Sequence, residues 1–233
     1  MAETCDEENE IEAVTHVSVE GAHESDQHAT IPVLDDLENK GCKPDTLLAD
    51  TGYGRGQNIV DAADRGVDLV SPSCGPKPKT EEGDFTLDDF MFSVDGQRIE
   101  HCPMCQTPVE QGANGENRRY ARMDAKRCGR CKWTGRCPAR RSDHAGIVTL
   151  RWSPSAGATS ARRQRERTKE FKDGYRLRSV IEATNSEYKR FYGGGRLRVR
   201  GSPAVTRTVM FKFMALNIRR RTKSAQKTQN QAA

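Results

Sequence analysis

No run of apolar residues in this chain approaches the roughly 20 that a membrane-spanning helix requires, which excludes a helical integral membrane protein. The opening residues, Met1-Ala2-Glu3-Thr4-Cys5-Asp6-Glu7-Glu8, lack both the basic and the apolar stretch of a secretory signal. The expectation is therefore a soluble, cytoplasmic protein with no membrane partner. Fixed positive charge is scarce in the first fifty residues, where only Lys40 and Lys43 supply it. Internal repeats are lacking too. Apolar residues make up 34% of the 233 positions and charged residues 30%. That is polar for a globular chain but not polar enough for disorder throughout.

What the first fifty residues lack, the far end has in excess. From Arg162 to Lys223 the chain is crowded with Arg and Lys, within a net charge of +5. Such a segment suits a polyanion, most commonly a phosphate backbone. The bland alternative is a solvated basic face.

The pattern over residues 1–75 alternates. Residues 11–19 are rich in β-branched side chains and read as a strand. Ser25 or Asp26 is placed to cap a following helix, whose face is Ile31, Leu34 and Leu37 and which ends near Gly41. Residues 46–50 form a short strand ending in Asp50, Thr51-Gly52-Tyr53-Gly54 turns the chain, residues 58–65 are helical, and residues 67–72 form another strand. This order predicts an α/β fold with parallel strands. Residues 76–84 then read as a linker, 90–94 and 97–101 as a hairpin, 112–117 as a loop and 153–159 as a second linker. Helical residues dominate 161–190, Gly193-Gly194-Gly195 breaks the helix, a second helix runs from 204 to about 220, and the tail from 222 is frayed.

Three groups of residues carry chemistry. Asp50 closes a predicted parallel strand, the edge at which open α/β sheets bind ligands, although an Asp before a glycine turn is commonplace. Tyr175, Arg178, Glu182 and Lys189 stand at spacings of 3, 4 and 7, which on one helix places all four on nearly the same side. That stripe is either a solvated face with an Arg–Glu pair or a metal-binding acid flanked by cations that hold phosphate oxygens. Finally, Cys102-x2-Cys105 and Cys128-x2-Cys131 have the spacing of a four-thiolate structural Zn2+ ribbon. Cys137 and His101 lie nearby, and Cys137 is able to replace one of the four ligands. The alternatives are a redox pair or a decayed knuckle. Arg127, Arg130, Lys132 and Arg136 surround these cysteines.

The Tyr-x2-Arg-x3-Glu-x6-Lys pattern is similar to the signature around the third acid of a group of bacterial insertion-sequence DDE transposases. Leu48-Ala49-Asp50-Thr51-Gly52-Tyr53 resembles the strand that holds the second acid. Asn185, Arg198-Val199-Arg200-Gly201, Asn217 and Arg219 continue the likeness, which covers nearly the whole chain. The resemblance implies a ribonuclease-H-like mixed sheet with flanking helices and Mg2+ (or Mn2+) held by three carboxylates. It implies DNA cleavage and strand transfer on double-stranded DNA (element ends and target), with a homo-oligomer as the active form. On it, Asp50 and Glu182 are the second and third acids, expected close together in the folded chain. Tyr175, Arg178, Lys189, Arg198 and Arg200 contact DNA.

The first acid's strand is expected to precede residue 1, since Asp6 and Asp26 both look like turn residues. Such a fragment is expected to be inactive alone and poorly stable. Related transposases carry a cysteine-bearing insertion before the Glu helix. The expected organisation is residues 1–75 as the first part of the catalytic core, 76–155 as the zinc-ribbon-like insertion, 156–221 as the helical remainder and 222–233 as a flexible tail. The competing expectation is a non-enzymatic DNA-binding remnant, a zinc ribbon with basic helices. A ribonuclease acting on RNA fits the fold but not the signature.

Overall fold

The computed structural model describes residues 1–6, 8–21, 23–76, 83–142 and 146–232. In chain order the elements are β1 (Ala2–Glu3), β2 (Val14–His16), α1 (Thr30–Asn39), β3 (Thr46–Leu48), α2 (Gly56–Asp64), β4 (Asp68–Val70), β5 (Met91–Phe92), β6 (Ile99–His101), β7 (Glu110–Ala113), β8 (Arg119–Met123), α3 (Ala125–Gly129), β9 (Arg140–Arg141), β10 (Val148–Trp152), α4 (Pro154–Arg165), α5 (Lys169–Tyr175), α6 (Ser179–Phe191) and α7 (Ser202–Ala232). The result is a mixed α/β chain with small sheets. It divides into two compact units, Pro44–Lys172 on one hand and Met1–Lys43 with Asp173–Ala233 on the other.

In the central unit, β3 and β4 pair in parallel, Thr46 opposite Asp68 and Leu48 opposite Val70. Here the expected parallel βαβ pattern is realised, with α2 as the crossover. A separate antiparallel sheet runs in the order β7-β8-β10-β9, and β5 pairs with β6 as the expected hairpin. Phe90, Ile99, Ala121, Leu150 and Trp152 fill one apolar core beneath these strands. The β5–β6 hairpin docks through its turn. Gly96 has φ +69°, and an added Cβ there would stand 2.1 Å from the Ala158 nitrogen. Its carbonyl accepts a hydrogen bond from Trp152 Nε1 at 3.1 Å, so a residue with a side chain would separate hairpin from helix.

Several expectations change here. Residues 153–159 are not a linker but the start of α4. Ser153 caps it, its Oγ accepting from the Ala156 N–H at 3.2 Å, and Pro154 occupies the first turn. Proline is tolerated there because its missing N–H has no intrahelical partner. The small residues serve close packing, since a Cβ on Gly157 would meet the Trp152 ring at 2.8 Å. Residues 112–117 are divided, Gly112 and Ala113 belonging to β7. Of the linker 76–84, residues 77–82 lie outside those described.

In the other unit, the strand expected over residues 11–19 is reduced to β2, which pairs antiparallel with β1. The helix bearing Leu34 and Leu37 begins at Thr30, preceded by a 3-10 turn at Asp26–His28, and no side chain caps it. Helix α7 packs on β2 through Asn217, which accepts from the Val14 N–H at 2.9 Å and donates to the Val14 carbonyl at 2.8 Å. One side-chain amide thus satisfies both backbone groups of that residue, as a neighbouring strand would. Tyr188 stacks on Phe213 at 4.4 Å between ring centroids, over a small core with Val14, Val209 and Leu216. Helix α7 continues to Ala232 rather than ending near 220. Ala, Gln, Lys and Arg favour helix and no Gly or Pro interrupts them.

Candidate functional site

Asp50 is positioned by the carboxyl edge of the parallel strand pair. The Ala49 N–H donates to the Val70 carbonyl at 3.0 Å, extending the ladder by one step. Ser71, fully buried, donates its hydroxyl to the Asp50 carbonyl at 2.7 Å. The following 3-10 turn, Thr51–Tyr53, closes against this edge at Gly54, where an added Cβ would lie 1.8 Å from the Pro72 carbonyl oxygen. The backbone of Asp50 is therefore held from two sides while its carboxylate is exposed. Oδ1 accepts from the Thr51 N–H at 2.7 Å.

Glu182 lies in the first turn of α6 in the other unit. A carboxylate is favourable at that end of a helix. Its Oε1 accepts from Arg178 Nη2 at 2.6 Å, and the Arg178 guanidinium stands over the Tyr175 ring at 5.7 Å. The acid is 62% exposed and the arginine 25%, so the pair is a surface one, worth about 0–1 kcal/mol. The single helix expected to carry all four signature residues is instead three pieces. Tyr175 ends α5, Arg178 belongs to a 3-10 turn at Arg176–Arg178, and Glu182 and Lys189 lie on α6. The structure joins Tyr175, Arg178 and Glu182 in one chain of contacts. Lys189 stands exposed two turns further along α6, and Arg198 and Arg200 are exposed between α6 and α7. Asp6 does sit in a turn, where its Oδ1 accepts from the Glu8 N–H at 2.9 Å.

The basic segment is not one surface. Arg162 is 3% exposed, donates to the Leu69 carbonyl at 2.5 Å and reaches Asp68 at 3.5 Å. Burial pulls its guanidinium down to about 10, against the opposing pull of Asp68. Arg163 pairs with Asp88 at 2.9 Å and Arg165 with Asp68 at 2.7 Å. These three cations hold α4 onto its own unit. Sequence reasoning grouped them with the nucleic-acid face because charge alone does not reveal a partner 75–97 positions earlier. A run Arg-Arg-Gln-Arg inside small-residue helix sequence was the available signal.

Cys102 follows β6, Cys128 lies on α3, and Cys131 and Cys137 come after α3. All four line one cavity of about 40 Å³, together with Phe90 and Trp133; Cys105 is exposed and is not part of that lining. Burial pushes the Cys128 thiol up to about 11, reinforced by the neighbouring Cys137, Cys102 and Cys131. Burial likewise raises Cys137. Among the described residues, no group of three or more His, Cys, Asp or Glu side chains forms a ready-made metal cluster.

Exposed carboxylate oxygens at Asp50 and Glu182 are hard donors of the type Mg2+ or Mn2+ takes. Among the described residues no helix is long and apolar enough to cross a membrane. The family model described as "Transposase DDE domain" matches residues 4–218. No curated protein and no solved structure gives a match.

Proposed function

The chain belongs to the transposase DDE-domain family, and from that premise we propose that Asp50 and Glu182 are two of the acids of its metal-dependent DNA cleavage and strand transfer. The family acts on DNA and uses divalent metal ions. The finer reading places the chain in the Tyr/Arg/Glu/Lys-signature group with a ribonuclease-H-like core. It takes double-stranded element ends and target as substrates and works as a homo-oligomer. The observation that carries it is the contact chain Tyr175–Arg178–Glu182, an exposed acid with a cation and a phenol at hydrogen-bonding and stacking range.

Asp50 and Glu182 would hold Mg2+ or Mn2+, which supplies charge neutralisation and a clamp on the attacking and leaving oxygens of an in-line displacement. The chain's own residues do the positioning. Arg178, braced on Tyr175, neutralises Glu182 without DNA and sets a positive charge beside the acid, where a phosphate oxygen would be attracted. Lys189, Arg198 and Arg200 supply exposed cations for the backbone on either side of the reacting phosphate. Two acids of the expected three are assigned. A structural metal in the cysteine-bearing segment is a separate matter, because a closed four-thiolate site leaves no position for catalysis.

The test is nicking of supercoiled plasmid DNA by the full chain with Mg2+ or Mn2+. Nicking should require the metal and stop with EDTA. Nicking that persists in EDTA, or is unchanged by Asp50→Asn and Glu182→Gln, contradicts the assignment.

A further inference from the structure

The thiols fall into two classes that their sequence spacing does not separate. Spacing pairs Cys102 with Cys105, but only Cys102 is buried and lines the cavity. Cys105 has φ +56°, the one non-glycine residue with positive φ among those described, and its side chain is exposed. Cys102 is buried, and its Sγ receives the Met104 N–H at 3.4 Å. Cys137, six residues beyond the second knuckle, lines the same cavity as Cys102, Cys128 and Cys131.

The loop that brings them there is fixed by hydrogen bonds. Asp124 caps α3 by accepting from the Lys126 and Arg127 N–H groups. The Cys131 N–H donates to the Cys128 carbonyl at 3.1 Å, and the Thr134 hydroxyl reaches the Cys131 carbonyl at 2.7 Å. Phe85 packs against Trp133 at 5.3 Å between centroids, and the Phe85 N–H donates to the Arg136 carbonyl at 2.9 Å, one residue before Cys137.

We propose that Cys102, Cys128, Cys131 and Cys137 bind one Zn2+ in the cavity they line, and that Cys105 is a free surface thiol. Four thiolates are a soft donor set that selects Zn2+ or iron–sulfur groups over Mg2+. No ready-made cluster exists among the described residues, so the four side chains would turn into the cavity they line to reach an ion at about 2.3 Å. Binding exchanges protons for metal, each thiol giving up its proton as the S–Zn bond forms. The four ligands come from the end of the β5–β6 hairpin, from α3 and from the chain before β9. The ion therefore crosslinks segments up to 35 positions apart in sequence (102 to 137), and its role is to staple this part of the central unit.

This proposal stands independently of the catalytic assignment. The test uses the full chain, purified under reducing conditions, analysed for metal and then alkylated with iodoacetamide with and without a zinc chelator. Peptide mass spectrometry reads each cysteine separately, so no variant needs to fold. About one Zn2+ per chain is expected. Chelation should raise the labelling of Cys102, Cys128, Cys131 and Cys137 roughly tenfold or more, because release frees the nucleophilic sulfur. Cys105 should label equally in both states. Cys105→Ser should keep its zinc and Cys137→Ser lose it. Absence of zinc, a Cys102–Cys137 disulfide, or visible iron–sulfur absorbance overturns the proposal. So does chelator-dependent labelling of Cys105 in place of Cys137.

Discussion

The two units are held together by different physics. Pro44–Lys172 has an extensive apolar core, with Phe90, Ile99 and Leu150 essentially inaccessible, to which the buried Cys102 and the half-buried Cys128 and Cys137 add. The other unit has a smaller apolar cluster and depends on charge. Glu3 on β1, with its side chain 2% exposed, pairs with Arg220 at 2.6 Å. Arg220 also reaches Glu187 at 3.1 Å and Thr184 at 2.6 Å. Among the described residues Glu3 Oε2 has no hydrogen-bond partner, so within them this buried acid relies on one oxygen for its compensation. A two-stranded ladder is a weak element by itself, and α7 compensates with Asn217 and Arg220 where the central unit uses hydrophobic burial. Each unit carries one of the two proposed acids, and both acids are exposed.

This contrast can be broken from either side. The largest effect is expected for Phe90→Ala, which empties the centre of the apolar core and should cost about 3–5 kcal/mol. Urea unfolding of the purified chain reads it, and a loss below about 1 kcal/mol would show that the core does not carry the unit. Arg220→Ala should cost on the order of 3 kcal/mol by leaving Glu3 buried without its cation. Glu3→Gln with Arg220→Ala should recover part of that loss, since the stranded charge is gone; no recovery would mean that packing, not charge, is at stake. Ser153→Ala should cost about 1 kcal/mol as a lost helix cap, and Ser153→Asp should restore it.

The smallest effect concerns pH. Hydrogen bonds from Lys40 and then from His16 hold the Asp36 carboxyl below the usual range of roughly 3.9. A carboxyl with a depressed folded value contributes stability above its unfolded value and loses it as pH falls through the folded one. Wild type and Asp36→Asn should therefore differ at pH 6 and converge below about pH 4, as followed by urea midpoints. A difference that persists at low pH would contradict this.

Much of this was legible in sequence. Asp50, Gly54 and the flanking strands announced themselves because β-branched residues and a glycine turn have local causes. The hairpin at β5–β6 was legible for the same reason. The Arg178–Glu182 pair was visible as an i,i+4 spacing, although a 3-10 turn at Arg176–Arg178 splits the expected helix. What escaped was long-range. Arg162 and Arg163 looked like a solvated or DNA-facing run until their partners Asp68 and Asp88 were in place. Residues 153–159 looked like a linker because Ser, Pro, Gly and Ala also start a helix packed tightly on Trp152. The role of Asn217 as a substitute strand depends on Val14, 203 positions away.

The central claim is that Asp50 and Glu182 serve one metal-dependent chemistry, and a double-mutant cycle on Mn2+ affinity, followed by electron paramagnetic resonance of free Mn2+, tests it most directly. Asp50→Asn and Glu182→Gln should each weaken binding at least roughly tenfold, about 1.4 kcal/mol. The double variant should be little worse than either alone, a coupling well above the roughly 0.5 kcal/mol expected of independent sites. Additive losses, or an affinity that neither substitution alters, would contradict the account.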